Sequence, residues 1–318
     1  VTGGRAAVRI SVVICVFTEQ RWDDILSAIG SVRGQSLPAH ELIVVVDHNP
    51  QLLDRLAGEL GADDEAVKAI VVPNREQRGL SGARNTGVWI STGDVVAFLD
   101  DDAIAEPEWL KYFADCYATA EVAGAGGLTL PNWDSSRPRW FPREFDWVVG
   151  CNYLGMPQPR QPVRNLLGGN ASFRRSVFVQ VGGFDSDVGR SAAKLPLGAE
   201  ETEFCVRIAR RLPGAILLID DRAVIWHRVK DERATPRYFL TRCFAEGLSK
   251  AVVSRRVGSA DGLSAERRHA FATLPVGVAR DLAEAVRGDL AGLGRAAAIT
   301  AGLWAAVAGY LVGRLARR

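Results

Sequence analysis

A chain of 318 residues that is 47% hydrophobic and 24% charged has enough apolar material for one large core or two modest ones, which excludes a disordered protein. Its formal net charge of +2, with no basic run interleaved with aromatic or zinc-ligand patterns, excludes a nucleic-acid binder. Charge is divided unevenly: residues 250–318 hold 11 Lys and Arg against 5 Asp and Glu, so this tail stands at +6 and residues 1–249 at −4.

Taken in chain order, Ile10 to Val16 is a β-branched run that predicts a strand, followed by Thr18-Glu19-Gln20 and a helix with Ile25, Ile29 and Val32 at helical spacing. Leu42 to Val46 predicts a second strand ending in Asp47-His48-Asn49-Pro50, with a helix carrying Leu52, Leu53, Leu56 and Leu60 behind it. Ala69 to Val72, the loop Pro73 to Leu80, a helix from about Ser81 to Ser91 and a strand at Val95 to Leu99 continue the alternation. Strands and helices alternating at this size predict a mostly parallel, three-layer α/β sheet whose ligands gather at the carboxyl ends of the strands. Glu19, Asp47, Asp101 and Asp102 fall at those ends.

From Leu130 to Pro162 the pattern breaks into a loop-rich insertion with Trp133, Trp140, Phe141, Phe145, Trp147 and Tyr153 close together. Gly168-Gly169-Asn170, Gly182-Gly183-Phe184-Asp185 and an acidic helix start at Glu200-Glu201-Thr202-Glu203 follow. Strands at Ala215 to Asp220 and Val224 to His227 close this region, and the chain is helical from about Tyr238 onward. Five cysteines (Cys15, Cys116, Cys151, Cys205 and Cys243) form no CxxC pair, which predicts reduced thiols in a cytoplasmic compartment.

Asp100, Asp101 and Asp102 place three mutually repelling carboxylates where a strand ends, so a positive group must sit among them. A hard divalent cation shared with nucleotide phosphates suits such a cluster. The alternative is an acid cluster serving the dipole of the helix beyond Glu106-Pro107-Glu108-Trp109. Near the other end, Ala296 to Gly313 is uncharged between Arg295 and Arg314 and about 27 Å long as a helix, just short of a hydrocarbon core of ~30 Å. Its bulky residues Ile299, Leu303, Val307 and Leu311 form one stripe and the small residues Ala301, Ala305, Gly309 and Gly313 another. One face is expected to meet lipid and the other a second helix, with the arginines at headgroup level; the alternative is a soluble helix docked on the rest of the chain.

In this order the pieces Ser11-Val12-Val13-Ile14, Glu41 to Asp47, Gly82-Ala83-Arg84-Asn85-Thr86-Gly87, Phe98 to Asp102, Gly182 to Asp185, and Glu200 to Glu203 with Arg207 resemble glycosyltransferase family 2 over roughly Ser11 to His227. The resemblance implies the Rossmann-like GT-A fold and an inverting enzyme that uses a nucleoside-diphosphate sugar with Mg²⁺ or Mn²⁺. It matches Asp47 to the aspartate that accepts a hydrogen bond from the base, typically uracil N3–H, although His48-Asn49 replaces the usual Gly-Ser pair; the alternative is Asp47 as the N-cap of the next helix. Arg84 and Asn85 match the helix start that faces the phosphates, with an ordinary ion pair for Arg84 as the alternative. Thr18 and Glu19 join the nucleotide-sugar set. Asp102 matches the direct metal ligand, Asp101 a group near the ribose or a metal-bound water, and Asp100 an outer partner; His227 matches a late histidine near diphosphate or metal. Glu201 matches the general base, with Glu200 or Glu203 brought into play because glutamate reaches one methylene further than the usual aspartate; the alternative is an acidic first turn.

The resulting expectation is a catalytic domain over 1–237, divided into a donor half at 8–130 and an acceptor half at 131–237, and a helical region over 238–318 with the apolar segment 296–313. A UDP-sugar is the expected donor, a lipid-linked or cell-envelope glycan the expected acceptor, and the cytoplasmic face of a membrane the expected location, with a homodimer left open. The rivals are a sugar-1-phosphate nucleotidyltransferase, disfavoured because Val16-Phe17-Thr18-Glu19-Gln20 lacks glycine, and an inactive membrane-tethered glycan-binding protein, disfavoured by the intact acids.

Overall fold

Four apolar runs form parallel strands where expected: β1 (Ile10–Val16), β2 (Glu41–Val46), β3 (Ala69–Pro73) and β4 (Val95–Asp100). The structure, a computed structural model, describes residues 8–61, 67–157, 159–186, 200–257 and 264–316. The remaining strands are β5 (Ala103–Ala105), β6 (Val122–Trp133), β7 (Asn170–Arg174) and β8 (Ile216–Val229), and all eight form one sheet in the order β3-β2-β1-β4-β7-β6-β8-β5.

The helices before the carboxyl tail are α1 (Trp22–Arg33), α2 (Pro50–Gly61), α3 (Leu80–Ile90), α4 (Trp109–Cys116), α5 (Arg175–Val181) and α6 (Glu200–Arg211). Side chains alternate across the sheet, so each strand feeds two cores. Val12 and Ile14 pack with Ile25, Leu56 and Trp109 of α1, α2 and α4, whereas Val13 packs with Val88, Phe178 and Phe204 of α3, α5 and α6. Covering both faces is why β1, β2 and β4 read as unbroken apolar runs.

Most strand pairings are parallel, as expected, and antiparallel ones enter in the second half of the sheet. Strands β1 to β4 are parallel, but β7 runs antiparallel to both β4 and β6, and β5 runs antiparallel to β8. The two late runs merge into the single strand β8, which pairs parallel with β6. Strand β6 is hidden in the sequence by Gly124, Gly126, Gly127 and Pro131, residues that weaken strand propensity. Packing demands the glycine: a Cβ on Gly127 would lie 2.0 Å from the Ala223 carbonyl oxygen.

Beyond the sheet lie α7 (Pro236–Val257), the short helix α8 (Ser264–Arg268), a π-helical turn at His269–Thr273, α9 (Leu274–Val286) and α10 (Ala291–Leu315). A third core joins them to the aromatic insertion: Phe141, Phe145, Val148 and Val149 pack on Phe239, Leu274 and Ile299. The insertion is therefore mainly structural, with Trp147 and Tyr153 half-buried at a cavity wall. The second helix that meets the small-residue stripe of α10 is α7. A Cβ on Gly309 would lie 2.0 Å from the Phe244 carbonyl oxygen, and one on Gly247 the same distance from that of Ala306. Ile299, expected on the lipid side, is instead core, because the helix turns that end of its bulky stripe toward Phe145 and Phe239. Arg295 does not sit in solvent at a helix end. It pairs with Asp281 at 3.1 Å, Glu284 at 2.6 Å and Asp289 at 2.9 Å, while Arg280 pairs with Asp281 at 2.9 Å and Glu144 at 3.0 Å. This network fastens α9 and α10 to the insertion.

Candidate active site

Strand register assembles the site. Cys15 lies opposite Asp100, Leu99 opposite Asn170 and Ala103 opposite His227, so the tip of β4 meets the loop before β7 and the far part of β8. The aspartates leave the strand in different directions. Asp101 and Asp102 are buried, whereas Asp100 is partly open to a cavity of about 570 Å³.

Asp102 accepts from His227 Nε2 at 3.1 Å and lies 3.0 Å from Arg21 Nη1 and 3.5 Å from Arg233 Nη2. Asp101 takes a short charged bond from the same Arg21. Burial works against the charge on Asp102, but His227, Arg21 and Arg233 more than offset it and hold its carboxyl well below the usual range. Burial, with Asp102 and Asp100 alongside, pushes Asp101 upward against the pull of Arg21. Arg21 comes from a 3-10 turn after β1 (Glu19–Arg21) and Arg233 from one after β8 (Asp231–Ala234); neither was a sequence candidate.

One ligand atom each from Asp100, Asp102 and His227 lies within 4.8 Å of the others. Two carboxylate oxygens and an imidazole nitrogen suit Mg²⁺ or Mn²⁺. Nδ1 of His227 is buried without a hydrogen-bond partner, as expected of a site with unspent ligand capacity, so the residues fit a divalent cation. The structure thus joins Asp102 and His227 to Asp100, while Asp101 turns to Arg21.

Arg84, fully buried on α3, donates to Glu200 at 3.1 Å and lies 3.6 Å from Asp100. It rests between the rings of Phe98 and Phe184. Room for this bridge comes from Gly168 and Gly169: added Cβ atoms would lie 2.8 Å from Arg84 Nη1 and 2.2 Å from Asp100 Oδ2. The glycine pair before a strand was the visible signal for this close approach. Glu200 is buried and Glu201 half-buried, and both line the cavity with Arg84 and Asp100. Burial and the charge of Glu200 push the Glu201 carboxyl up to about 7. Glu203 instead pairs with Arg207 at 2.6 Å, and Arg207 also holds the Val181 and Gly183 carbonyls. The residues directly before this acidic start, 187–199, lie outside the described residues.

The other sequence candidates are distributed around this centre. Asp47 is buried and accepts from Asn74 at 2.7 Å and from the Gly79 amide at 3.0 Å, so it braces the loop that leads into α3. Asn85 engages both the amide and the carbonyl of Phe184, at 2.8 and 2.9 Å, and thereby holds the Gly182-Gly183 turn. Thr18 caps its 3-10 turn by accepting from Gln20 N, and Glu19 is exposed.

The family model described as "Glycosyl transferase family 2" matches residues 11–182. The chain belongs to glycosyl transferase family 2. It is 36% identical over 247 residues to the glucosyl-dolichyl phosphate glucuronosyltransferase of Haloferax volcanii, covering 77% of each chain. To the succinoglycan biosynthesis protein ExoM of Rhizobium meliloti it is 24% identical over 244 residues, 76% of this chain and 73% of that one. Its fold resembles that of the mannosyltransferase PcManGT of Pyrobaculum calidifontis, solved in complex with GDP-Man and Mn²⁺, with a TM-score of 0.59 at 20% identity over 97% of this chain and 86% of that one. This family 2 chain is accordingly a glycosyltransferase with a GT-A sheet, and the nucleotidyltransferase alternative falls away.

Proposed function

We propose that the enzyme transfers a sugar from a nucleoside-diphosphate sugar, UDP-linked, to a hydroxyl of a lipid-linked glycan with inversion at the anomeric carbon, on the cytoplasmic face of a membrane. The observation that carries this is that Asp100, one of the candidate cation ligands, and Glu201 line the same cavity. Asp100, Asp102 and His227 would hold the cation, which neutralises charge on the departing diphosphate. Arg84 lies beside Asp100 to meet phosphate oxygens, and Asp47 sits beside the pocket loop for the base. Glu201 takes the acceptor proton as the acceptor oxygen bonds to the anomeric carbon and the sugar–diphosphate bond breaks; the nucleoside diphosphate leaves with the electron pair. A carboxylate raised to about 7 is well matched to that proton. The Haloferax relative, named for a glucosyl-dolichyl phosphate acceptor, supports the acceptor class.

A panel of nucleotide sugars with Mn²⁺, read by thermal shift, tests the donor. The true donor at a hundredfold excess over its dissociation constant stabilises the fold by ~2.7 kcal/mol and raises the melting point by a few degrees. A panel in which UDP-sugars give no shift and another base does would overturn the UDP assignment, and no shift from any of them would overturn the donor class.

The membrane reading rests on α9 and α10. These helices and the turn between them expose Val276, Val286, Leu290, Leu293, Trp304, Leu311 and Leu315, with Val286 90% and Trp304 67% accessible, and Arg287 and Arg314 are exposed beside them. Helix α10 is long and apolar enough to cross a bilayer. Its inner face, however, is packed along α7, which carries Arg242, Glu246 and Lys250, so crossing would draw those charges into hydrocarbon. Lying in the interface with the arginines at anionic headgroups satisfies both faces. Replacing Trp304 and Leu311 together by Glu should lower flotation with vesicles containing phosphatidylglycerol at least tenfold while leaving the melting point within about 2 °C of wild type. Undiminished flotation would place the contact elsewhere. Deleting α10 is a poorer test, because Ile299 and Gly302 belong to the core.

A further inference from the structure

The cavity that holds Glu201 does not end at the catalytic carboxylates. It continues to the C-terminal helices, where, among the described residues, Arg164, Arg242, Lys250 and Arg267 line it with two carboxylates, Glu246 and Glu266. That end therefore has an excess of two positive charges in a space walled elsewhere by Phe271, Leu303 and Val307. Such a charge excess beside apolar walls suits neither a neutral glycan nor a simple lipid chain.

The side chains converge on one point. Arg164 holds Glu266 through both terminal nitrogens, at 2.9 and 2.8 Å, and Lys250 Nζ approaches the same carboxylate at 2.8 Å. A planar guanidinium fork and an ammonium aimed at one pair of oxygens is the arrangement that recognises a phosphate. The carboxylate they hold is the most exposed of the three, and Lys250 has a second partner in Glu246 at 3.2 Å. Glu266 belongs to the five-residue helix α8 and its side chain is 31% exposed, against 12% for Lys250 and 19% for Arg164. The Arg242 guanidinium, buried on α7, lines the same space. This end and Glu201 line one continuous cavity.

We propose that Arg164, Arg242 and Lys250 form a subsite for the phosphate of a lipid-phosphate acceptor, that Glu266 occupies the phosphate position in its absence, and that the hydrocarbon chain leaves along Leu303 and Val307. This deepens the transferase reading and rests on it for the identity of the acceptor. The route is continuous: Leu303 and Val307 line the cavity, and Val307, Trp304 and Leu311 carry the apolar surface of α10 out into the open. A sugar attached to the phosphate would lie between the subsite and Glu201, with its hydroxyl toward the donor. The same helix thus contributes to both the cavity wall and the open apolar surface, with Trp304 and Val307 shared between them.

Farnesyl phosphate, farnesol and inorganic phosphate, titrated calorimetrically into the full chain in detergent, test this directly. Farnesyl phosphate should bind at least tenfold more tightly than either of the others, since each lacks one half of the ligand. Lys250→Met should weaken farnesyl phosphate at least tenfold, and Lys250→Arg should restore it. Glu266→Gln should tighten it severalfold by removing the competing anion, a gain that a merely structural ion pair would not produce. Equal binding of farnesol would remove the phosphate from the proposal, and equal binding of inorganic phosphate would remove the lipid. Glu266→Gln that leaves affinity unchanged or weaker would overturn the placeholder role. Binding of Mn²⁺ with UDP, measured on the same wild-type sample, keeps the two readings apart. Farnesyl phosphate bound without nucleotide binding would sink the donor assignment alone, and the reverse would sink this subsite alone.

Discussion

Glu201→Gln is expected to reduce turnover by ~10²–10⁴-fold while leaving affinity for a nucleoside diphosphate with Mn²⁺ unchanged. The amide keeps the size and approximate shape of the carboxylate but has no site for the acceptor proton. The same residue sets the pH dependence. Because burial and Glu200 raise the Glu201 carboxyl to about 7, the ionised base is lost as pH falls through that value, so wild-type turnover should rise from acid toward about pH 7 and then level. Stability has the opposite sign. A carboxyl whose folded pKa lies above its unfolded one holds its proton more tightly in the folded state, so the fold loses stability as pH rises from the ordinary glutamate range to about 7. The glutamine variant lacks that loss. It should therefore melt at a higher temperature than wild type at pH 8 and at a similar one at pH 4. A variant with normal turnover would move the base to Glu200, and an unchanged melting difference across pH would deny the raised carboxyl.

Asp102→Asn should abolish the metal dependence of nucleotide binding. Substituting even a group that only supports a ligand costs ~10–100-fold in metal affinity, and a direct ligand should exceed that range. In calorimetry, wild type should bind UDP far better with Mn²⁺ than with chelator present, and the variant should bind it equally weakly in both. Asparagine retains an oxygen for His227 and Arg21, so the fold should survive, although the cations around that position lose a countercharge. Asp101→Asn is the informative companion, because Asp101 is engaged by Arg21 and stands outside the Asp100, Asp102 and His227 cluster. It should reduce manganese dependence much less. If the two variants behave alike, the cation is held by the pair Asp101 and Asp102, as the linear motif suggests, and not by the three-dimensional cluster.

The amino-terminal part of the sheet was legible because β1, β2 and β4 are covered on both faces and must be apolar throughout. Strand β6 was not, since Gly124 and Gly127 satisfy close approaches to Phe173 and Ala223 that only the folded sheet reveals. Among the site residues, Asp102, His227, Arg84 and Glu201 stand out by residue type and order. What a linear motif leaves undetermined is direction. Three successive aspartates at a strand end look interchangeable, yet the turn into β5 sends Asp101 toward Arg21 and Asp102 toward His227. Arg21 and Arg233 were invisible because each is one arginine among many until β1 and β8 bring their following turns to the tip of β4. In the tail, the small-residue stripe announced a helix contact, but only packing identifies α7 as the partner.

The wide chain separation of Arg21, Asp102, His227 and Arg233 has a consequence for biogenesis. Until strand β8 and the turn after it dock, a nascent sheet would display a bare knot of aspartates with no cation from the carboxyl side to quiet it. Closure of that last edge is therefore electrostatically rewarded, and a polypeptide stalled before it would be neither catalytically competent nor quietly folded.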